Sequence, residues 1–347
     1  MKKLFYYSAL LLISIVGCTK EKLSESELAK QTNDIPLLNT YEGGGRSSPC
    51  IDGISIVCED ILAFDDTAAF CDVYNCLFEE YIDWNKEFSE TWVAMSEEDF
   101  NHLADSTGFV EHQPLKDFEG EFGYVSFREY YRGLEDDWLD QNDPDTVTHP
   151  YHIDYLHDPV LMTLLNRYGE VQIGGSIFKI LEDGTIFEIV HADCDTLLYL
   201  RNHPEDADSF GNVIIYSNNR DDCSNWKGKS DFIYYSGGTK RYKRQVSFRF
   251  YPFATWTCAH AGIVSYKQKA NGNWQRWKTQ LDCAIVGTAW NLNCVIDGYF
   301  GETEDQTRKE ELNVNVNWYG QTEQTQSGYT SGWYYCNGNT STKALTW

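Results

Sequence analysis

Residues 164–184 read LLNRYGEVQIGGSIFKILEDG, and this stretch decides the fold of the middle of the chain. Its EVQI segment, residues 170–173, alternates with the period of a half-buried strand, and Gly174-Gly175 can turn the chain before the apolar IFKI segment. Asp183-Gly184 is a strong two-residue hairpin signal, and it precedes a third apolar segment, TIFEI. The stretch therefore predicts a three-stranded antiparallel meander.

The periodicity changes on both sides of this meander. Upstream, from about Asp60 to Asp140, apolar residues recur three or four positions apart among acids, which predicts helices. Ser96 and Ser126 each precede such a segment, as N-cap residues do. Downstream, strand-like alternation with no helical stretch continues to the C-terminus. We therefore predict an α+β fold: an acidic helical region, the meander, and an all-β, sandwich-like C-terminal domain.

The first 17 residues have the composition of a secretory signal peptide. The apolar run Leu4–Val16 is shorter than the roughly 20 residues of a membrane span. It leads into Gly17-Cys18, which resembles a bacterial lipobox and implies cleavage before Cys18 and lipidation of its sulfur. Residues 18–48 are polar and predict a flexible tether. We expect a lipid-anchored protein of the cell envelope, at the outer membrane, and Lys20-Glu21 resembles a signal for display on the cell surface.

Charge divides the chain in two. Residues 1–210 hold 13 Lys+Arg against 42 Asp+Glu, whereas residues 211–347 hold 15 against 11, within a total net charge of -25. This break predicts an acidic α+β domain at residues 49–205 and an all-β domain at residues 206–347. Because an acidic surface repels phosphate backbones, we expect no nucleic-acid partner.

Cysteine usage agrees with export. The chain has 11 Cys, and setting Cys18 aside leaves ten, none of them in a C-x-x-C pair. An even number of thiols beyond a signal peptide predicts up to five disulfides, whose connectivity the spacing does not fix. The disulfide candidates are Cys50, Cys58, Cys71, Cys76, Cys194, Cys223, Cys258, Cys283, Cys294 and Cys336.

The block that opens at Leu164-Leu165-Asn166 and runs through Gly169-Glu170 to Asp183-Gly184 is similar to a block in uncharacterised lipoproteins of Bacteroidota. In that family of unknown function an acidic helical region leads into the form LLN-x-x-GE-V-Q-I-G-x-x-I-F/Y-K-I. The resemblance covers about residues 90–190. It implies a structural meander with required glycines, and it carries no catalytic residue to this chain.

Two segments suggest metal binding. His149, His152 and His157, with His191 and Asp193 further on, have side chains of the zinc-ligand type, but they match no recognised spacing. The oxygen-rich residues 140–145 suggest calcium, although an EF-hand loop would need Gly at its sixth position and Glu at its twelfth. Satisfied histidines and Asp-rich turns explain both segments more simply. We identify no cofactor, and calcium remains an alternative.

Catalytic motifs are lacking in the sequence. There is no G-x-S-x-G elbow, and a cysteine such as Cys258 beside His260 belongs more simply to a disulfide. Paired carboxylates of a hydrolase could lie among the many acids, but no pair stands out. The sequence therefore favours a protein without catalytic activity, with a secreted hydrolase as the alternative.

Aromatic residues of the C-terminal strands are the strongest candidates for a binding surface. Flat indole rings stack on sugars, and neighbouring amides and hydroxyls can bind the rim of the ligand. Trp274 and Trp277 are three apart, so in a strand they face opposite sides and one of them should be in the core. The candidate binding residues are Trp274, Trp277, Trp290, Trp333 and Tyr335. We predict a non-catalytic module that binds a glycan or a protein; the alternatives are a core of packed aromatics in a structural envelope component, or the hydrolase.

Overall fold

The computed structural model describes residues 49–91, 95–141, 158–181, 185–216, 229–235, 239–251, 256–290, 296–319, 331–336 and 345–346. Among the C-terminal strands, side chains are described at residues 239–240, 262–279, 281 and 309–312. The predicted signal peptide, Cys18 and the tether lie outside these ranges, as does the Asp183-Gly184 turn.

The described residues of the N-terminal part form six helices and a six-stranded sheet. The helices are α1 (Thr67–Thr91), α2 (Glu97–Thr107), α3 (Gln113–Phe122), α4 (Phe127–Leu139), α5 (Pro159–Leu164) and α6 (Cys194–Asn202), with 3₁₀ turns at Pro49–Ile51 and Pro204–Ser209. The strands are β1 (Ile54–Val57), β2 (Ile61–Phe64), β3 (Glu170–Ile173), β4 (Ser176–Ile180), β5 (Ile186–Val190) and β6 (Val213–Tyr216). They lie in chain order, β1 to β6, across the sheet.

The predicted meander is confirmed as β3, β4 and β5. Val171 pairs with Phe178, and Phe178 pairs with Glu188, in antiparallel register. The sheet extends further than the sequence indicated, because β1, β2 and β6 join it. The expectation that residues from about Asp60 are helical is wrong at Ile61–Phe64: these four residues are all buried and form a strand beside β3. A continuous apolar run is typical of a strand that is covered on both faces.

Strands β2 and β3 are parallel, and this pairing explains where the helices lie. Parallel neighbours need a long crossover connection, and the chain between β2 and β3 supplies it with α1 to α5. One face of the sheet packs on these helices through residues such as Phe64, Leu77 and Val171. The opposite face packs on α6 through Ile177 and Leu197. The central strands of the sheet are therefore buried on both sides, whereas the edge strands β1 and β6 are partly exposed.

Two helix starts follow the predicted capping chemistry. Ser96 precedes α2, and its hydroxyl oxygen accepts a hydrogen bond from the backbone N–H of Asp99 at 3.1 Å. Ser126 precedes α4, and its hydroxyl oxygen accepts from the N–H of Glu129 at 3.0 Å. Both serines thus satisfy a donor that the first helical turn leaves unpaired.

The C-terminal part is built from strands in two sheets, which confirms an α+β composition. Its strands are β7 (Lys229–Tyr235), β8 (Lys240–Tyr251), β9 (Trp256–Gln268), β10 (Trp274–Arg276), β11 (Thr279–Trp290), β12 (Ile296–Lys309), β13 (Glu311–Tyr319), β14 (Ser331–Cys336) and β15 (Leu345–Thr346). One sheet has the order β10-β9-β8-β7 with β13 also paired to β9, and the other has the order β12-β11-β14-β15. Asn271-Gly272 lies in the β9–β10 hairpin.

The chain passes between these two sheets at two short connections. Trp277 and Lys278 separate β10 from β11, and Glu310 alone separates β12 from β13. The two connections are joined through Ser265, whose N–H donates to the carbonyl of Glu310 at 2.9 Å and whose carbonyl accepts from the N–H of Trp277 at 3.1 Å. We call residues 277–278 and 310 the sheet crossings.

The N-terminal sheet continues past the predicted domain boundary at residues 205 and 206. That position falls inside the 3₁₀ turn Pro204–Ser209, and β6 still pairs with β5 from Ile186↔Tyr216 to Ile189↔Val213. A division after Tyr216 would leave this sheet intact. That the two parts fold separately remains a prediction.

Two disulfides join described residues of the N-terminal part. Cys50 is bonded to Cys76, and Cys58 is bonded to Cys194. Cys71 is disulfide-bonded as well. These bonds support the reading of the cysteines as structural cross-links. None of the helices in the described part of the chain has the length and apolar character that a membrane span requires.

Candidate functional site

Helix α2 contacts the first sheet crossing directly. The side chain of Asn101 accepts from the N–H of Lys278 at 3.1 Å and donates to its carbonyl at 2.6 Å. At the start of the helix, the Glu97 carboxylate accepts hydrogen bonds from Lys240 at 2.5 Å, from Thr279 at 2.8 Å and from the Trp277 indole. Burial by itself would raise the pKa of Glu97, but these hydrogen bonds outweigh it and hold the pKa below its ordinary value.

Helix α4 joins the same region through a fully buried carboxylate, Glu135. Its oxygens accept hydrogen bonds from the Tyr266 hydroxyl and from Nε of Arg276, both at 2.6 Å. Arg276 also donates to Glu311 at 2.6 Å. Trp138 of α4 packs with Tyr266 and Trp274 in a small apolar cluster beside these ions. A buried carboxylate is therefore paired across the two parts of the protein.

The second sheet crossing lies against the segment before α3. The N–H of Glu310 donates to Oε2 of Glu111 at 2.9 Å, and the Glu310 carboxylate accepts from Arg132 at 2.9 Å. His112 lies 3.8 Å from the Glu310 carboxylate and stacks on the Tyr81 ring. The residues that meet here form what we call the junction cluster: Glu111, His112, Arg132, Glu135, Tyr266, Arg276, Glu310 and Glu311.

The two carboxyls at this crossing have very different pKa values. Burial, and then the nearby Glu310 carboxylate, raise the pKa of Glu111 to about 7. Burial would also raise the pKa of Glu310, but Arg132, Lys278 and Arg276 outweigh it and hold that pKa well below its ordinary value. Burial, followed by Arg128, lowers the pKa of His112 well below its ordinary value. Near neutral pH, Glu310 is thus ionised beside a Glu111 that can hold a proton.

Two buried atoms of this cluster stand out. Oε1 of Glu111 and Nδ1 of His112 have no hydrogen-bond partner among the described residues. Glu111 is 2% exposed and His112 is 6% exposed, so neither side chain reaches solvent freely. The cluster has the residue types of an acid–base site, but its geometry is that of a buried joint between the helices and the strands.

The candidate metal ligands do not converge where the structure describes them. His191 is exposed and has a left-handed backbone conformation, with φ 68°. Asp193 is the N-cap of α6, where its carboxylate accepts from the N–H groups of Asp195 and Thr196. His149, His152 and His157, and the oxygen-rich residues that follow Asp140, lie outside the described residues. Within the described ranges, no group of three His, Cys, Asp or Glu side chains could hold a metal ion.

Trp274 does not form a sugar-binding platform. Its side chain is 2% exposed and packs against Trp138 and Val264, so the proposed binding role is wrong for this residue. The expectation that one member of the Trp274–Trp277 pair lies in the core is confirmed. Trp277 is half-buried, its indole N–H donates to Glu97, and the Lys267 ammonium lies 3.7 Å from its ring centroid. Trp277 therefore helps to hold α2 against the strands, and a cation already lies over its ring.

The other candidate binding residues lie in strands of the four-stranded sheet. Trp290 ends β11, and Trp333 and Tyr335 occupy alternate positions in β14, where they pair with Ala284 and Asp282 of β11. The backbone register of these residues is described, and their side chains lie outside the description.

The polar and glycine residues of the LLN-x-x-GE block anchor a tight loop. Asn166 Oδ1 accepts from the N–H groups of Tyr168 and Glu170, both at 3.0 Å. Gly169 has φ 75°, and a Cβ at this position would lie 2.7 Å from the carbonyl oxygen of Ile180. Glycine is therefore required here by both conformation and space.

Glu170 holds this loop to the rest of the sheet. Its side chain is fully buried and accepts from Lys179 at 2.9 Å and from Arg201 at 2.6 Å. Arg201 also binds Asp60 at 2.9 Å. The block is thus structural, and Arg167 and Tyr168, which lie between Asn166 and Gly169 in it, are both exposed.

Sequence reasoning missed the junction cluster. Its acids are scattered among many others, and the contact from Glu111 to the backbone of Glu310 spans 199 positions. One signal was present: Arg308-Lys309-Glu310-Glu311 places four charges at the boundary of β12 and β13. Charges in such a position indicate either a solvated turn or a buried ionic contact, and only long-range contacts distinguish the two.

Comparison with known proteins identifies no family for this chain. No protein-family model and no curated protein matches it. Among solved structures it is similar to the crystal structure of a DUF4848 family protein from Bacteroides thetaiotaomicron, at 15% sequence identity. That match covers 82% of this chain and 95% of the other, with a TM-score of 0.16. At that TM-score the likeness carries no conclusion about the fold or the site.

Proposed function

We propose that this protein is a lipid-anchored component of the cell envelope that binds a glycan without catalysing a reaction. Its anchor is a lipid on Cys18, its tether is residues 18–48, and its location is the outer membrane with exposure on the cell surface. The lipobox-like Gly17-Cys18 sequence supports the anchor, and the ten further cysteines agree with an oxidising compartment.

The observation that carries the proposal is the arrangement of aromatic positions in the four-stranded sheet. Trp333 and Tyr335 stand two apart in β14, a spacing that belongs to one face of a sheet. β14 pairs with β11, the strand that ends in Trp290. Aromatic rings on one sheet face are a surface on which sugar rings can stack. We propose further that the two C-terminal sheets pack as a sandwich, whose rigidity would hold this surface in place.

A glycan array tests the binding proposal. The protein is the full chain with Cys18→Ser, which removes the lipid, presented in multivalent form because weak single contacts gain apparent affinity, by about 10²-fold or more, from avidity. We expect retention on some glycans, and loss of it in Trp333→Ala and Tyr335→Ala. Tyr199→Ala is the control, because Tyr199 is an exposed aromatic residue of α6 in the other part. No retention on any glycan, or equal loss in the control, would reject the proposal.

The same Cys18→Ser substitution tests the anchor. The wild-type protein should partition with membranes, and the variant should appear as unprocessed or soluble protein. Equal partitioning of both proteins would show that lipid on Cys18 is not the anchor.

A secreted hydrolase is a second candidate, and the Glu111–Glu310 pair favours it. One carboxyl that holds a proton near neutral pH beside one that is ionised is the pattern of acid–base hydrolysis. The burial of both residues opposes it, because substrate must reach them. Turnover of chromogenic glycosides that is lost in Glu111→Gln would favour this candidate over binding alone.

A further inference from the structure

The loop at residues 166–170 holds two exposed side chains on a fixed backbone. The side chain of Asn166 accepts hydrogen bonds from the N–H groups of Tyr168 and Glu170, and its backbone carbonyl accepts one from the N–H of Gly169 at 2.8 Å. The N–H of Arg167 donates to the carbonyl of Val125 at 2.9 Å, which ties the loop to the residue before the N-cap of α4. A loop fixed in this way loses little conformational entropy when a partner binds.

Arg167 differs from Arg201 in the residues that it contacts. Arg201 is paired with Glu170 and Asp60. Arg167 makes no ion pair among the described residues, although residues 1–210 contain 42 acids. Its guanidinium lies 4.7 Å from the centroid of the Tyr168 ring and donates to the Tyr168 hydroxyl at 2.7 Å. The planar fork of an arginine matches a carboxylate in a bidentate geometry.

The loop and the start of α4 to which it is tied carry exposed apolar and aromatic side chains. Tyr168 is 37% exposed, Val125 is 44% exposed and Tyr130 is 42% exposed. Val125 and Tyr130 occupy the N′ and N4 positions of α4, which are neighbouring positions in a hydrophobic staple. Tyrosine and arginine are the residue types that dominate binding hot spots. Exposed rings beside a cation suit a ligand that has both C–H faces and a negative group.

We infer that Arg167 and Tyr168, with Val125 and Tyr130, form a contact surface for a sugar that carries a carboxylate, a uronic acid residue within a glycan. This inference rests on the proposed function and adds to the β14 surface a second contact surface, with its class of sugar. The carboxylate binds the Arg167 fork, and the ring C–H groups lie on Val125 and Tyr130, because the Arg167 and Arg201 guanidinium groups already lie over the Tyr168 ring. The net charge of -25 opposes non-specific attraction of a polyanion, so retention of one requires a specific local contact.

Polygalacturonate and its fully methyl-esterified form are the probes, since they share the sugar and differ in the charge. Affinity electrophoresis of the full chain with Cys18→Ser should show retardation by the acid form and none by the ester. In Arg167→Gln the affinity should fall by at least about tenfold, because the bidentate charge-assisted contact is lost. Lys269→Gln is the matched control: it removes one positive charge from an exposed position in the β9–β10 hairpin, and its affinity should stay within about twofold of the parent.

Thermal unfolding of each variant checks that the fold is kept. Unchanged affinity in Arg167→Gln overturns the inference, and so does equal retention of the ester. Equal retention of poly-L-glutamate also overturns it, because the surface would then recognise protein carboxylates. If neutral glycans bind on the array and polygalacturonate does not, the proposed function stands and this inference fails. If no glycan of either kind binds, the proposed function itself fails.

Discussion

Glu111 has a buried carboxyl whose pKa lies far above its ordinary value, and this makes the stability of the protein depend on pH. The folded state binds the proton of Glu111 more tightly than the unfolded state does, because burial and Glu310 raise the pKa from 4.5 to about 7. The stabilisation by this proton is complete below about pH 4.5 and is lost as the pH rises through about 7. Ionised Glu111 therefore destabilises the folded protein above neutral pH.

Glu111→Gln removes this dependence, since an amide does not titrate. We expect the variant to gain stability relative to the parent as the pH rises. The difference in the free energy of unfolding, variant minus parent, should increase by up to about 3 kcal/mol between pH 4.5 and pH 8. Urea denaturation across that range measures the difference, and Glu121→Gln, at an exposed position of α3, is the control. A difference between variant and parent that is constant with pH would contradict the prediction.

At the scale of elements, the two disulfides fix different lengths of chain. Cys58–Cys194 joins the β1–β2 turn to the start of α6 and closes a sequence separation of 136, whereas Cys50–Cys76 closes one of 26. Four residues beside the longer bridge have positive φ without being glycine: Cys58, Glu59, His191 and Ala192. Such conformations persist where the surrounding structure holds them. The bridge and the Asp60–Arg201 ion pair together hold the turns at residues 58–59 and 191–192.

Replacing each bridged pair by alanines should therefore have unequal effects. Loop-closure entropy predicts a loss of about 5 kcal/mol for the Cys58–Cys194 pair and about 3.5 kcal/mol for the Cys50–Cys76 pair. Urea denaturation of the two double variants under non-reducing conditions measures both losses. A greater loss for the shorter loop would mean that packing around the buried Cys50, and not chain entropy, determines the contribution of these bridges.

At the scale of the whole molecule, the boundary between the two parts can be located by two fragments. A fragment of residues 49–216 keeps β6 and the packing of Phe210 and Val213 on the apolar cluster that contains Ile189. A fragment of residues 49–205 loses this strand and these two side chains. We expect the longer fragment to unfold at a higher temperature, because burial of these side chains contributes several kcal/mol. Thermal unfolding followed by circular dichroism decides between them. Equal melting temperatures would place the boundary at residue 205, as the charge break indicated.

Local patterns in the sequence were sufficient for the elements that depend on neighbouring residues. The meander, the Asn271-Gly272 hairpin and the serine caps at Ser96 and Ser126 all follow from spacings of a few residues, because hairpin turns and caps are short-range structures. Ile61–Phe64 was assigned to the helical region in error, since a short apolar run has the same composition in a buried strand and a buried helix.

The sequence by itself determined the α+β composition, the three strands of the meander, and the set of cysteines available for cross-links. Only the tertiary structure decided that β2 lies beside β3, that Trp274 belongs to the core, and that Asn101 and Glu111 bind the sheet crossings. These contacts join residues separated by more than 100 positions, and their free energy depends on burial and on the partner that each polar group meets. Periodicity reports which face of a single element is apolar, and it contains no information about which distant element covers that face.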